Sequence, residues 1–249
     1  MSILLTLADL FFIGSVSGWC LELVFRKFFS SANPEHKWIN PGFCIGPYVP
    51  LYGFGLCILY LLASIGDLSG IADSIWGKAL LFLGMAVSMT LIEYIAGIML
   101  LKGAKLRLWD YSKLWGNIDG LICPLFSFFW AVLGGVYYFV LHPHILGALS
   151  WLANNLAFSF FIGFFFGVFI VDMATCAHWV SGLKKFADEN GVIVKYENLK
   201  AHIRHAQERA SQKVYFLFAI RSDRAITEHL KKAHEAIEKI RHHRDKPAA

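Results

Sequence analysis

Among the acidic residues within or at the edge of long apolar stretches, Glu22, Glu93 and Asp172 are candidates for chemistry. An acid near the centre of a membrane-spanning helix costs about 2.5 to 3.5 kcal/mol on insertion scales. Such a residue normally faces a protein interior or a water-filled cavity and pairs with another group. The three acids are therefore candidates for binding a ligand, moving a proton or acid–base catalysis. The alternative is that loop amides, Arg26 or Arg107 satisfy them within the fold.

A segment rich in glycine and proline precedes the second apolar stretch. The sequence NPGFCIGPYVPLYGFG, residues 40–55, contains three prolines and four glycines. Non-helical backbone at membrane depth is tolerated where it is buried in protein or lines an aqueous cavity. We therefore expect a broken or re-entrant segment in which Asn40 turns the chain and the amides near Gly42 and Gly46 are offered to a ligand or to Glu22. The alternative is a simple loop followed by a helix with proline in its first turn.

A third polar stretch, LWDYSKLWGNIDG at residues 108–120, follows the third apolar stretch. Its aromatic residues fit the belt of tryptophan and tyrosine at a membrane interface. Its polar residues could join the same pocket as the acids. The candidate ligand-binding residues are Glu22, Glu93, Asp172, Asn40, Gly42, Gly46, Pro47, Tyr52, Trp109, Asp110 and Asn117. No catalytic residue is assigned.

The elements that must position these residues are membrane helices. Of the 249 residues, 57% are hydrophobic and only 16% are charged, which excludes an ordinary soluble domain. Each apolar stretch has close to the roughly 20 residues that are needed to cross the hydrocarbon core. The sequence therefore predicts an all-α, polytopic helical membrane protein with about five transmembrane helices. They fall at residues 3–25, 48–65, 79–101, 121–141 and 152–171.

The distribution of lysine and arginine predicts how the chain is oriented. Short loops rich in these residues stay in the cytoplasm, and the loops after the first and third spans are the basic ones. From residue 182 onward there are 15 Lys and Arg against 9 Asp and Glu. We therefore expect a multi-pass protein of the bacterial inner (plasma) membrane, with its N-terminus outside and its C-terminus cytoplasmic. The expected domains are a transmembrane domain at 1–181 and a basic cytoplasmic helical tail at 182–249.

The tail shows apolar residues at helical spacing after the short piece GVIVKY, which predicts two or three helices after an extended segment. It either packs on itself or on the membrane domain, or it lies on anionic lipid or a partner.

Two hairpins within the membrane domain share a pattern. The first has Glu22, a basic loop, Asn40 and then Pro47, and the second has Glu93, a basic loop, Asn117 and then a proline seven residues later. This match predicts a parallel repeat, whereas many transporters contain inverted repeats.

Glycine spacing and cysteine content give expectations about helix packing and disulfide bonds. Two GxxxG spacings, Gly14–Gly18 and Gly163–Gly167, indicate close helix packing within the chain or between copies. Five cysteines, an odd number with no CxxC pair, are expected to be reduced packing residues. We predict no metal site and no cofactor.

The sequence resembles the bacterial family of ABC transporter permeases, type IV, or CmpB-like. The resemblance rests on GWCLE at 18–22, on the glycine–proline segment at 40–55, on EYIAG at 93–97, on WDYS at 109–112 and on NIDGLIC at 117–123. It covers most of residues 10–180, and the tail lies outside it. The resemblance implies a role in transport. Because the chain has no G-x-x-x-x-G-K-[ST] loop, any nucleotide hydrolysis would need a separate ATPase subunit.

Three functions follow from these features. The leading hypothesis is a permease-like protein with a cytoplasm-facing polar pocket, a transport component for a small solute in which Glu22 and Glu93 bind a cationic group or a proton. The first alternative is a membrane-embedded enzyme acting on a lipid-linked or amphiphilic substrate, so enzymatic activity stays open. The second is a non-catalytic membrane scaffold or regulator. The expected partners are membrane lipids, an ATPase subunit and further copies of the chain, but no nucleic acid.

Overall fold

The computed structural model describes residues 3–30, 33 and 35–200. Within these residues the chain is built almost entirely from helices. Five segments are long and apolar enough to cross a membrane, which confirms the predicted all-α polytopic fold. The helices are α1 (Ile3–Phe28), α2 (Pro50–Leu68), α3 (Ile75–Ala104), α4 (Pro124–Val136), α5 (His142–Asn154) and α6 (Leu156–Asn190).

Two short helical pieces and two short strands join these helices. A 3-10 turn, Ile71–Asp73, links α2 to α3, and a π-helical segment, Tyr137–Leu141, joins α4 to α5 without a break. The strands are β1 (Leu106–Arg107) and β2 (Val194–Lys195), which pair in parallel with Leu106 opposite Val194. The extended piece expected after the last span is therefore present, and it is anchored beside the end of α3.

The fifth span is longer than its apolar run predicts. Helix α6 has 35 residues and ends at Asn190. The next residue, Gly191, adopts a left-handed conformation that terminates the helix. Asp172, at the edge of the apolar run, therefore lies in the middle of the helix. The expected domain boundary between residues 181 and 182 falls within α6. The expected tail helices beyond residue 200 lie outside the described residues.

Helices α1 and α2 approach each other closely because glycine lines their contact. A Cβ atom on Gly14 would lie 2.8 Å from the carbonyl oxygen of Tyr52, and one on Gly18 would lie 2.2 Å from Cγ of Tyr52. The first GxxxG spacing is thus a packing contact within the chain. By contrast, a Cβ on Gly163 or Gly167 would meet nothing within 4 Å.

The main apolar core lies between α2, α3, α4 and the π-helical segment. Its buried members include Leu59, Tyr60, Met85, Met89 and Trp130. A second cluster, which includes Trp179 and Tyr196, packs α6 and the residues after β2 against β1. All five cysteines are free thiols; Cys44, Cys123 and Cys176 are buried, whereas Cys20 is exposed.

Candidate functional site

Glu93 is an acid buried inside the membrane domain. It lies on α3, and only 3% of its surface is exposed. The Tyr111 hydroxyl donates to its Oε1 at 3.1 Å, and the Trp130 indole donates to its Oε2 at 2.9 Å. Tyr111 comes from the loop after β1, and Trp130 comes from α4. Each carboxylate oxygen therefore has a neutral donor, and no cation lies in hydrogen-bond contact with Glu93 among the described residues.

Glu22 has a different environment. It lies one turn before Arg26 on α1, and the Arg26 Nε atom is 3.2 Å from its Oε1. The Tyr52 hydroxyl of α2 donates to its Oε2 at 3.1 Å. Glu22 is thus neutralised by a cation of its own helix, which is the alternative that its sequence spacing allowed.

Tyr52 connects the two acids. Its hydroxyl binds Glu22, and its ring lies 5.0 Å from the ring of Trp130, whose indole binds Glu93. The position of Tyr52 is fixed from the other side by Gly18, which leaves room for the ring. The structure therefore brings three predicted site residues, Glu22, Tyr52 and Glu93, into one connected group.

The network continues to the residues after β2. Arg26 Nη1 is 2.8 Å from Oε1 of Glu197, and Lys200 Nζ is 3.6 Å from the same oxygen. Lys200 also donates to the backbone carbonyl of Asn40 at 3.1 Å. Burial lowers the pKa of Lys200 to about 8 although Glu197 opposes this shift. Burial alone would raise the pKa of Glu197, but the charges of Lys200 and Arg26 hold it below its usual value.

We call this group the Glu22–Glu93 network. Its members are Glu22, Arg26, Tyr52, Glu93, Tyr111, Trp130, Glu197 and Lys200. It holds three carboxylates and two basic side chains. The basic side chains contact Glu22 and Glu197, so within the part of the chain that the structure describes Glu93 is the carboxylate that no cation contacts. It is also the most deeply buried of the three.

Asp172 lies in a separate cluster with the glycine–proline loop. The backbone amides of Ile45 and Gly46 donate to its two oxygens at 3.1 and 2.9 Å, and the Tyr48 hydroxyl donates to it as well. Cys176 Sγ is a further donor, 3.5 Å from Oδ1. Burial and the hydrogen bond to Asp172 raise the pKa of Tyr48. Asp172 therefore fastens this loop to α6.

This arrangement corrects the expected use of the loop amides. The amide of Gly46 binds Asp172, and the amide of Gly42 binds Oδ1 of Asn40 at 2.9 Å, so neither is directed at Glu22. Asn40 turns the chain, as expected, and its Oδ1 also accepts from the Trp19 indole at 3.0 Å. Pro47 is exposed in the same loop. Residues 40–49 are non-helical, and α2 begins with Pro50 in its first turn.

The polar residues of the loop after β1 hold that loop together. Asp110 accepts from Arg107 at 3.0 Å and from Lys195 at 2.6 Å. Burial alone would raise its pKa, but hydrogen bonds from Lys195 and Ser112 hold it well below the usual value. The Trp109 indole donates to the carbonyl of Leu121 at 2.8 Å.

Asn117 closes a turn within the same loop. Its amide group donates to the carbonyl of Leu114, and its Oδ1 accepts from the Gly120 amide. The loop thereby places Tyr111 against Glu93. Trp109 and Asn117 bond to backbone groups of the same loop region, and Asp110 bonds to Arg107 and Lys195.

Several members of the network could not be selected from the sequence. Tyr111 read as an ordinary interfacial aromatic residue, and Glu197 and Lys200 read as tail charges. The contact of Arg26 with Glu22 could be predicted, because the two residues are four positions apart on one helix. A further acid, Asp9 of α1, is 4% exposed and was not singled out although it lies within the first apolar stretch. Its position inside that stretch was the available signal.

These features define a multi-pass α-helical membrane protein with carboxylates held in its interior. The chain belongs to the family whose model is described as "Putative ABC-transporter type IV", and that model matches residues 10–177. The match confirms the resemblance over nearly the same residues and makes this a protein of a transport-related membrane family. No curated protein and no solved structure matches the chain.

Proposed function

We propose that this protein is a permease-like component of a transport system for a small solute, and that Glu22 and Glu93 form its site for a cationic group or a proton. The observation that carries the proposal is the charge balance of the Glu22–Glu93 network, with three carboxylates against two basic side chains. A charge buried without a partner is costly, so a proton or a bound cation must neutralise the excess.

Glu93 is the acid that receives this positive charge. Glu22 and Glu197 both contact Arg26, whereas the hydrogen bonds to Glu93 from the described residues come from the neutral donors Tyr111 and Trp130. A proton on one oxygen of Glu93, or a cationic group beside it, removes the excess without breaking the pair between Glu22 and Arg26. Glu22 acts through Tyr52, which connects the two acids.

The loop charges support an orientation with the N-terminus outside, which would put the network in the cytoplasmic half of the membrane. The polar pocket would then face the cytoplasm, between the loop at 40–49 and the loop at 108–120. The remaining predicted residues, including Asp172, Asn40 and Asp110, shape these two loops.

A separate ATPase subunit would supply the energy. The family description supports such a partner, and the sequence has no phosphate-binding loop of the Walker type. The ATPase would dock on the basic face formed by the loops and by the residues after α6. Further copies of this chain are the other protein partners that the proposal includes.

One observation favours a second function, that of a regulator whose tail responds to a partner. Glu197 and Lys200 stand at the start of the basic tail, and they connect it to Arg26 and to the carbonyl of Asn40. A partner that pulls on the tail would therefore disturb the pairing of Glu22.

Affinity purification from native membranes in mild detergent tests the proposal, with mass spectrometry of the co-purifying chains and small molecules. The samples are the unaltered protein, Glu93→Gln and the matched control Glu189→Gln, which changes an exposed glutamate of α6. We expect an ATPase subunit at constant stoichiometry in all three, and a bound solute that is lost only in Glu93→Gln. An absent ATPase, or a solute retained in Glu93→Gln, would contradict the proposal.

A further inference from the structure

A second group of hydrogen-bonded titratable side chains lies at the other end of the membrane domain. His142 begins α5 and is 7% exposed, and Tyr137 begins the π-helical segment and is 2% exposed. His142 Nε2 is 3.0 Å from Oδ2 of Asp67, and its Nδ1 is 3.0 Å from the hydroxyl of Tyr137. Asp67 lies at the end of α2, and its side chain is 52% exposed. The histidine is thus buried, but its carboxylate partner reaches the surface.

The chemistry of the three groups fixes the protonation of the neutral imidazole. An ionised carboxylate only accepts hydrogen bonds, so Nε2 must carry the hydrogen that binds Asp67. The lone pair of Nδ1 then accepts the hydrogen of the Tyr137 hydroxyl. Every polar atom of the neutral ring is satisfied in this arrangement.

A second proton changes both the charge and the direction of one hydrogen bond. When Nδ1 also carries a hydrogen, the Tyr137 oxygen must accept and its own hydrogen must turn to another acceptor. The imidazolium would form an ion pair with the Asp67 carboxylate, whose Oδ2 is 3.0 Å from Nε2. The two states of His142 therefore differ in how α2 is joined to the segment between α4 and α5.

The surroundings of the imidazole contain no second cation in hydrogen-bond contact within the described residues. The rings of Tyr60 on α2 and Tyr138 on the π-helical segment lie 6.4 Å away, and Cys57 of α2 lies near Tyr137. His144 follows two residues later and is exposed. Asp67 is thus the charged group that bears directly on His142.

The backbone here has an unusual form. The His142 amide donates to the carbonyl of Tyr137 across a wide π-helical turn. This i to i+5 turn brings both residues to one face, so their side chains meet. Single π-helical turns within α-helices occur frequently at functional sites.

This group is well separated from the Glu22–Glu93 network. Asp67 and Tyr52 are 15 residues apart on α2, which corresponds to about 22 Å along the helix axis. The intervening space is filled by the main apolar core, which includes Leu59, Met85 and Met89. The two groups therefore lie toward opposite ends of the membrane domain, with an apolar layer between them.

We propose that Asp67, Tyr137 and His142 form a second proton-binding site, which takes up its proton from the membrane side opposite to the Glu22–Glu93 network. The inference deepens the proposed function and rests on it for the direction of transport, because a permease needs a polar site toward each side. The protonation of His142 itself depends only on the local geometry.

Nuclear magnetic resonance of the full chain, with ¹⁵N-labelled histidine in lipid nanodiscs, tests the proposal. Loss of a signal in His142→Gln assigns the resonance, and His144→Gln is the matched control. We expect the neutral ring of His142 to carry its hydrogen on Nε2 and to take up a second proton on Nδ1 when the sample is acidified. A folded protein whose ring takes up no second proton, or whose neutral ring carries its hydrogen on Nδ1, would overturn the proposal.

Two further variants keep the test valid if His142→Gln does not fold. Asp67→Asn removes the counter-charge and should weaken the binding of the second proton about tenfold. Tyr137→Phe removes the donor to Nδ1 and should increase the fraction of neutral ring with hydrogen on Nδ1. If neither variant changes the titration or the tautomer, the assignment is wrong.

The titration also separates this inference from the proposed function. Glu93→Gln should leave the His142 titration in place because the two groups lie far apart. If His142 binds its proton but Glu93 binds neither a proton nor a cation, the second site is supported and the proposed function of the Glu22–Glu93 network is wrong. Loss of the His142 titration in Glu93→Gln would contradict the independence that the distance implies.

Discussion

The hairpin α1–α2 and the hairpin α3–α4 hold their glutamates in different ways. Glu22 of the first hairpin is paired with Arg26 of its own helix, and Glu93 of the second is held by Tyr111 and Trp130. Both hairpins also use an asparagine to close the loop before the second helix, since Asn40 accepts from Gly42 and Asn117 accepts from Gly120. The predicted repeat therefore extends to the role of the asparagine but not to the environment of the acid.

This difference indicates a division of roles. An acid with a fixed cation is a structural element, because removing either partner leaves a buried charge. An acid with neutral donors can exchange a proton or a cation without breaking an ion pair. The first hairpin thus anchors the network, and the second provides the exchangeable position.

The largest effect should come from removing the cation of the first hairpin. Arg26→Gln leaves Glu22 and Glu197 without their shared partner, and we expect a loss of about 3 kcal/mol in the free energy of unfolding. Thermal unfolding in detergent measures the change. Lys105→Gln is the control, because its pair with Asp188 is nearly half exposed and should contribute less than about 1 kcal/mol. Equal effects of the two variants would contradict an anchoring role for Arg26.

The close approach of α1 and α2 gives the next largest effect. An alanine Cβ at Gly18 would lie 2.2 Å from Tyr52 and should cost about 2 kcal/mol of stability by forcing this ring to move. A glycine where α4 faces α3, Gly134, is the control, because a Cβ there would lie 3.7 Å from Met85 and Gly134→Ala should be close to neutral. Thermal unfolding of both variants decides whether only the first hairpin is tightly packed. A neutral Gly18→Ala would show that the Tyr52 ring can move freely.

Replacing the tyrosine beside Glu93 should cost more stability than replacing the tyrosine beside Glu22. Tyr111→Phe removes one of the two donors that hold Glu93, and we expect it to cost about 1.5 kcal/mol. Tyr52→Phe should cost less, since Glu22 keeps its bond to Arg26. Chemical denaturation of both variants in detergent measures the difference. A larger cost for Tyr52→Phe would reverse the assigned roles of the hairpins.

The smallest expected effect is on the stability of the protein at acidic pH. Because the pKa of Glu197 is lower in the folded protein than its ordinary value of 4.5, the folded state binds fewer protons than the unfolded one. The resulting stability is present above pH 4.5 and is lost as the pH falls through the folded-state pKa. We expect Glu197→Gln to remove about 1 kcal/mol of this acid-dependent stability. Unfolding curves at several pH values provide the measurement, and an unchanged pH dependence would count against the pair with Arg26.

Much of the fold could be predicted because hydropathy and length determine membrane spans locally. All five spans were found, although the last one continues to Asn190 because its polar end is still helical. The pair of Glu22 and Arg26 could also be predicted, since four residues separate neighbours on a helix face.

The rest of the candidate site depends on contacts that the sequence does not encode locally. Arg26 meets Glu197 from 171 positions away, and Asp172 meets the loop amides from 126 and 127 positions away. Such pairings follow from how helices pack, so residue type alone could not reveal them. For the same reason the sequence does not reveal that Asp67 and His142, which are 75 positions apart, meet in the folded chain.

Infrared spectroscopy of the reconstituted protein, in vesicles without added solute, tests the central claim most directly. If Glu93 holds the exchangeable positive charge, the unaltered protein shows the carbonyl stretch of a protonated carboxylic acid at neutral pH. This band persists in Glu22→Gln and in the surface control Glu189→Gln, and it disappears in Glu93→Gln. A protein without the band, or a band that survives in Glu93→Gln, would contradict the claim.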